Sequence, residues 1–205
     1  MHVSRKKSLF NQAVYLVLFL YLRYNNVEEK LTGVESVILV FFRHGDAEDA
    51  GEFGDDLARK LTEKGAKRTR RMGKMMTKLI PGKCRIHIWS SPLIRATATA
   101  EILSERWGVK IKIHQAVASG DFEALTPHLA LCQQEDCVVI VGHQPFLSEW
   151  TNHLTGINLN FRKSAAAAIR YEPAQKAEEG ELLSELLWYV QPNFSKVAAK
   201  MEECN

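Results

Sequence analysis

Three consecutive residues at the end of an apolar run constrain the fold of this chain more than any other feature. Residues 37–42 (Val-Ile-Leu-Val-Phe-Phe) are rich in β-branched and aromatic side chains, which is typical of a strand buried on both faces. Arg43, His44 and Gly45 follow directly. Gly45 interrupts the strand and allows another group to approach the backbone closely. The pattern predicts that an arginine and a histidine lie together at the end of a core strand.

Two later segments repeat this arrangement. Arg95 follows a short predicted strand at residues 85–89, and His143 follows the apolar run at residues 138–141. If these strands are parallel neighbours, their carboxyl ends meet at one edge, where open α/β sheets bind ligands. A guanidinium group binds phosphate through paired hydrogen bonds, and an imidazole can act as a nucleophile near neutral pH. The predicted phosphate site contains Arg43, His44, Arg95 and His143.

The order of these segments resembles the histidine phosphatase superfamily, which has the phosphoglycerate-mutase-like fold. The chain is most similar to the small SixA-like branch of phosphohistidine phosphatases, over about residues 37 to 192. The matching segments are 43–48 (RHGDAE), 61–65 (LTEKG), Ser91-Pro92 with Arg95, Thr99-Ala100, 142–145 (GHQP) and 163–165 (KSA). The resemblance implies one three-layer α/β/α domain with a mostly parallel central sheet, over residues 35–205.

The resemblance also implies a reaction, in which His44 attacks phosphorus and carries a covalent phosphoryl group until water removes it. Arg43, Arg95 and His143 would bind the phosphoryl oxygens, and Gly45 would let the substrate approach. We expect the two arginines to keep His44 uncharged at neutral pH, because positive neighbours disfavour its protonated form. The histidine spacing matches no metal-binding motif, so neither a metal nor another cofactor is implied.

The sequence does not identify a general acid. Relatives that cleave phosphate esters use a glutamate or aspartate to protonate the leaving alkoxide, and the corresponding region here offers Asp121 and Glu123. Both lie where a helix is predicted to begin, so they can equally complement its dipole. Asp46 and Glu48 are further candidates, although loop or structural roles are favoured for both.

The lack of an identified general acid affects which class of substrate the sequence favours. An imidazole is a far easier leaving group than an alkoxide, so the pattern favours hydrolysis of phosphohistidine on a signalling or phosphorelay protein. A phosphatase of small phosphate esters is the alternative within enzymes. A non-catalytic phosphate-binding or scaffold protein is the alternative from another class, although the complete set of site residues argues against it.

Composition supports a soluble globular domain. The chain has 205 residues and a formal net charge of +3, and it contains no nucleic-acid-binding motif, so no nucleic-acid partner is predicted. Its four cysteines include no Cys-x-x-Cys pair, and we expect reduced thiols in a cytoplasmic protein.

Strands and helices are predicted to alternate along the chain, as in a sheet covered on both faces. Helices are predicted at residues 62–80, 93–107, 122–132, 145–154 and 194–201. Further strands are predicted at residues 109–114, 165–171 and 183–190. The first helix is strongly basic, which is typical of a solvated face; a docking surface for an acidic phosphoprotein is the alternative.

The N-terminal extension, residues 1–34, lies outside the resemblance. A basic cluster at residues 5–7 precedes an apolar stretch at residues 13–22, which is too short to span a bilayer. Four interpretations stay open: a helix packed on the domain or on a partner, a membrane-associated anchor, a misassigned start and a cleaved signal. Membrane contact is possible but not favoured.

Overall fold

The computed structural model describes residues 36–49, 56–172 and 184–193. The N-terminal extension and the predicted helix at residues 194–201 lie outside these ranges, so both stay predictions. Within the described ranges, every helix is too short or too polar to cross a membrane.

From residue 37 to residue 171, helices separate successive strands, as the sequence predicted. The strands are β1 (Val37–Arg43), β2 (Arg85–Ser90), β3 (Ile111–Ile113), β4 (Asp136–Gly142), β5 (Ala166–Tyr171) and β6 (Ser184–Val190). The helices are α1 (Glu63–Leu79), α2 (Ile94–Trp107), α3 (Gln115–Ser119), α4 (Thr126–Leu129) and α5 (Phe146–Thr155). Short 3₁₀ turns occur at Asp56–Ala58 and Glu123–Leu125.

The strands form one mixed sheet in the order β3-β2-β4-β1-β5-β6. β1 is parallel to β4, and β2 is parallel to both β4 and β3. β5 runs antiparallel to both β1 and β6, so it is the strand that reverses direction. The prediction of a mostly parallel sheet is confirmed.

Helices cover both faces of the sheet. α1 and α2 pack against each other, and α2 also contacts β2 and β4. A hydrophobic cluster joins Phe41 and Ile140 of the sheet to the helices after β3, through Val117, Leu129 and Leu147. The predicted three-layer α/β/α architecture is therefore confirmed.

Local signals in the sequence determine several helix ends. α1 begins after Thr62, whose hydroxyl accepts a hydrogen bond from the backbone N–H of Gly65 at 3.0 Å. α2 ends at Gly108, with a φ of 67°, and α5 ends at Gly156, with a φ of 69°. These left-handed conformations suit glycine because it has no Cβ.

The prediction of one continuous helix at residues 122–132 is wrong. The structure instead has the 3₁₀ turn Glu123–Leu125 followed by the single turn of α4. Pro127 explains the break, because proline lacks a backbone N–H and its ring clashes with the carbonyl four residues earlier. The proline is tolerated in the first turn of α4, where that N–H has no helical partner.

Candidate active site

The ends of three parallel strands meet at one edge of the sheet. Arg43, the last residue of β1, pairs with Gly142, the last residue of β4. The backbone N–H of His44 donates to the Gly142 carbonyl at 3.1 Å, and that of Ser91 donates to the Val141 carbonyl at 3.1 Å. These bonds extend the parallel register beyond the strands and hold the three following loops side by side.

The structure brings the four predicted side chains together at this edge. The ring centroids of His44 and His143 are 5.0 Å apart, and each residue is only 5% exposed. Arg95 lies in the first turn of α2 and is 6% exposed. The charges of Arg43 and Arg95 both act on His44. The site is therefore a nearly buried cluster of cationic and imidazole groups, which suits an anionic ligand.

A hydrogen bond within its own loop determines the tautomer of His44. Its Nδ1 lies 2.7 Å from the carbonyl oxygen of Gly45. A carbonyl only accepts hydrogen bonds, so Nδ1 carries the proton of the neutral ring. The lone pair then lies on Nε2, which makes this atom the potential nucleophile.

The environment of His44 strongly favours the neutral ring. Burial and the neighbouring His143 lower the pKa of His44 to about 3, and the charges of Arg95 and Arg43 contribute further. The sequence predicted this direction but attributed it to the arginines. In the structure, burial is the largest cause, because an imidazolium loses its hydration in this pocket.

Arg43 is held by the backbone around it. Its Nη1 donates to the carbonyl oxygen of Phe161 at 2.7 Å. Burial, together with the charge of Arg95, lowers the pKa of Arg43. The backbone N–H of Ser164, which has a φ of 62°, lies 3.1 Å from the carbonyl oxygens of both Arg43 and His44. One donor just before β5 thus anchors two neighbouring site residues.

Gly45 is required by packing. A Cβ at this position would lie 2.6 Å from Cδ1 of Leu61 and 2.9 Å from Oγ1 of Thr69. The backbone N–H of Gly45 donates to Oγ1 of Thr99 at 3.0 Å. The sequence assigned Gly45 to substrate approach, whereas the contacts described here come from α1, from Leu61 just before it, and from α2.

An ion pair next to His44 was not predicted from the sequence. Nζ of Lys163 lies 2.8 Å from Oδ1 of Asp46, and Nη1 of Arg68 lies 3.7 Å from Oδ2. The hydrogen bond from Lys163 lowers the pKa of Asp46, and the charge of Arg68 adds to this effect. Asp46 is therefore ionised at neutral pH and carries no proton for a leaving group.

A second unpredicted contact orients His143. Its Nε2 lies 2.8 Å from Oγ of Ser91, a fully buried residue. Ser91 belongs to a matching motif in the sequence, but spacing alone gave no sign of its partner. Such long-range pairs become visible only when the strand ends are aligned.

The two predicted general acids, Asp121 and Glu123, differ in their surroundings. Oδ1 of Asp121 accepts a hydrogen bond from the backbone N–H of Ala124 at 3.0 Å, within the 3₁₀ turn that replaces the predicted helix. Burial raises the pKa of Tyr171, and the charge of Glu123 adds to the increase. Tyr171 pairs with Val37 at the amino end of β1. The length of β1, roughly 20 Å, separates that position from His44.

The fold and the site define the class of protein. The sequence profile of the histidine phosphatase superfamily (branch 1) matches residues 39–130, a range that contains Arg43, His44 and Arg95. The chain belongs to this superfamily, and membership supports phosphatase activity.

Individual relatives add detail. The chain is 35% identical over 142 residues to an uncharacterized protein of Picosynechococcus sp., covering 64% of this chain and 84% of that protein. Its fold is similar to that of the protein histidine phosphatase SixA complexed with tungstate, with a TM-score of 0.64, 22% identity, and coverage of 77% and 98% of the two chains.

Two further solved structures share the fold. One is a putative phosphohistidine phosphatase SixA from Agrobacterium tumefaciens, with a TM-score of 0.60 and 18% identity, covering 76% of this chain and 97% of that one. The other is a mycobacterial glucosyl-3-phosphoglycerate phosphatase, with a TM-score of 0.55 and 16% identity, covering 73% and 96%. At these identities, the likeness shows the fold and not the substrate.

Proposed function

We propose that this protein hydrolyses phosphohistidine on a signalling or phosphorelay protein through a covalent phosphohistidine intermediate on His44. The proposal rests on the protonation and the surroundings of His44. Its ring is neutral, its Nδ1 proton is bound by the Gly45 carbonyl, and its Nε2 belongs to a pocket shared with Arg43, Arg95 and His143. This arrangement suits attack on a phosphoryl group without a separate base.

The proposed first step is an in-line displacement at phosphorus. The lone pair on Nε2 of His44 forms a nitrogen–phosphorus bond as the bond to the substrate imidazole breaks. Arg43, Arg95 and His143 stabilise the charge on the phosphoryl oxygens during this transfer. The Gly45 carbonyl accepts a stronger hydrogen bond as positive charge develops on the His44 ring.

Hydrolysis of the intermediate completes the cycle. A water molecule attacks phosphorus, the bond to Nε2 breaks, and the protons of the water end on phosphate oxygens or in solvent. His44 regains the lone pair on Nε2 and keeps its Nδ1 proton throughout. The same three side chains stabilise both transfers, as expected for covalent catalysis in two easier steps.

The lack of an identified proton donor in the described site supports phosphohistidine, in which nitrogen bonds phosphorus, as the substrate. A substrate imidazole that carries a proton on its other nitrogen leaves as a neutral ring, and its reference pKa of about 6.5 makes this form accessible near neutral pH. An alkoxide is a much stronger base and needs a proton donor. Asp46 is ionised beside Lys163, Asp121 accepts a hydrogen bond from the backbone N–H of Ala124, and the charge of Glu123 acts on Tyr171.

A cytoplasmic location is part of this proposal. Cys132 and Cys137 carry free thiols, and burial raises the pKa of both. Protonated and partly or fully buried thiols are compatible with a reducing compartment.

The experiment that tests the proposal compares two substrates. Native protein and His44→Ala receive a phosphohistidine protein and a phosphoserine peptide, and phosphate release is followed over time. His153→Ala serves as a matched control, because His153 is an exposed histidine near the end of α5. We expect fast release from phosphohistidine that depends on His44 and not on His153.

The other outcomes separate the alternatives. Equal or faster release from phosphoserine would refute the substrate assignment and favour a small-ester phosphatase, with Asp121, Glu123 or Glu48 as the next residues to replace. Binding without release of phosphate from either substrate would favour the non-catalytic alternative. A labelled phosphoryl group that is absent from His44→Ala, but trapped on native protein, would support the covalent step directly.

A further inference from the structure

We propose that the solvent-facing side of α1 is a docking surface for an acidic segment of the phosphorylated protein. This inference deepens the proposed function and rests on it for the identity of the partner. We call the surface the basic face. It consists of Lys64, Lys67, Arg68, Arg70, Arg71, Lys74 and Lys78.

Helical geometry separates the basic face from the core. Thr69, Met72 and Met76 are fully buried and share one side of α1. At about 100° per residue, the basic side chains project from the opposite half of the helix. Lys64, Lys67 and Arg70 are exposed, and Glu63 is the one acidic residue in the helix sequence. Positive charge therefore dominates the whole exposed side of this helix.

The basic face begins at the rim of the candidate active site. A Cβ at Gly65, in the first turn of α1, would lie 2.2 Å from the carbonyl oxygen of Asp46. The helix is thus packed directly on the loop that carries His44. Arg68 reaches the Asp46 carboxylate at 3.7 Å and extends the positive charge from the helix towards this loop. A molecule bound along α1 would have a short path to Nε2 of His44.

The length of the basic face indicates the size of its partner. Lys64 and Lys78 are separated by roughly 20 Å along the helix axis, at 1.5 Å per residue. A small phosphate ester cannot span that distance, whereas an acidic segment of a protein can. Charge complementarity of this kind mainly accelerates encounter and selects partners. Because the basic face borders the phosphoryl pocket, the fitting partner is one that also presents its phosphoryl group there.

The docking surface can be tested without the physiological partner. The probes are a Glu-rich peptide phosphorylated on a single histidine and a matching peptide in which glutamine replaces glutamate. Their unphosphorylated forms, labelled with a fluorophore, report binding by fluorescence anisotropy. Binding tests the basic face even if the catalytic proposal fails, whereas phosphate release tests both.

Two triple variants remove equal charge from different surfaces. The test variant combines Lys64→Gln, Lys67→Gln and Arg70→Gln. The control variant combines Arg106→Gln, Lys110→Gln and Lys112→Gln, which are exposed residues outside α1. A chromogenic aryl phosphate, too small to reach the basic face, reports the integrity of the catalytic site and of the fold in both variants.

We expect native protein to bind and dephosphorylate the Glu-rich peptide roughly tenfold better than the Gln peptide at low salt. The test variant should lose that advantage and its salt dependence while keeping the native rate on aryl phosphate. The control variant should behave like native protein. The proposal would be overturned if the test variant preferred the Glu-rich peptide over the Gln peptide as strongly as native protein does. It would also be overturned if both triple variants lost this preference. Tighter binding of anionic vesicles or RNA than of the Glu-rich peptide would also overturn it, by assigning the face to another partner.

Discussion

Ser91 and His143 are joined by a buried hydrogen bond of 2.8 Å between Oγ and Nε2. The backbone N–H of Leu93 donates to the same Oγ at 3.3 Å. The hydroxyl keeps its own proton and a second lone pair, so it can pair with Nε2 in either tautomer of a neutral His143. In both cases the bond holds the ring beside His44.

Removing this hydroxyl should impair turnover more than binding. We expect Ser91→Ala to cost about 1–2 kcal/mol of transition-state stabilisation, which corresponds to roughly a five- to thirtyfold lower kcat. The measurement is steady-state kinetics with pH profiles, because a positioning role predicts an altered profile as well as a lower rate. Ser90→Ala is the matched control, since Ser90 is also fully buried but donates to the Ser91 carbonyl. Equal losses in both variants would point to packing alone.

Arg95 should contribute through its charge. A hydrogen bond from a charged group is worth about 1.5–3 kcal/mol, so Arg95→Gln should lower kcat/KM by roughly tenfold to more than a hundredfold. Arg106→Gln, at the exposed end of the same helix, should leave kcat/KM within about twofold, because surface charges contribute little. Thermal unfolding of both variants would separate a loss of catalysis from a loss of fold. An active Arg95→Gln variant would remove this residue from the proposed site.

The low pKa of His44 predicts how stability depends on pH. With a pKa of about 3 in the folded protein and 6.5 ordinarily, the unfolded chain binds more protons between these two values. The free energy of unfolding should therefore fall as the pH decreases from 6.5 towards 3. Urea unfolding across this range should show a shallower dependence in His44→Gln than in native protein. Parallel curves for the two proteins would contradict burial of a neutral His44.

The contact between α1 and the His44 loop should not tolerate a side chain at Gly65. A glycine inside a helix is ordinarily destabilising relative to alanine by about 0.5–1 kcal/mol. Here the added Cβ would lie 2.2 Å from the Asp46 carbonyl, so we expect Gly65→Ala to destabilise the fold by about 1–3 kcal/mol and lower kcat. Gly82→Ala is the control, because nothing lies within 4 Å of a Cβ there. Thermal unfolding and phosphate release measure both effects; an unchanged Gly65→Ala would show that the loop moves freely.

The parts of the fold that the sequence predicted well depend on local chemistry. Thr62 begins α1 through its own hydroxyl, and Gly108 ends α2 in a left-handed conformation. The alanine-rich run in β5 is a strand, as predicted for residues 165–171. Pro127 was the local signal that the prediction overlooked, and it breaks the helix expected at residues 122–132.

The parts that the sequence did not predict depend on long-range contacts. Lys163 and Asp46 are 117 residues apart in the chain, and Ser91 and His143 are 52 residues apart. No spacing rule connects such residues, because their proximity follows from the order of the strands in the sheet. For the same reason, the sequence could suggest Glu123 as a candidate acid but could not show its distance from His44. The charge of Glu123 acts on Tyr171, which pairs with the amino end of β1, whereas His44 follows the carboxyl end.

The bonds from Ser164 to the carbonyl oxygens of Arg43 and His44 have a consequence for how the protein is made. During synthesis His44, the proposed nucleophile, leaves the ribosome long before Ser164, the residue that anchors it. Arg43 likewise lacks its partner Phe161, which lies 118 residues further along the chain. Activity should therefore appear late, only once β5 has joined β1, and a nascent chain that ends before residue 161 should carry the catalytic motif without a formed site.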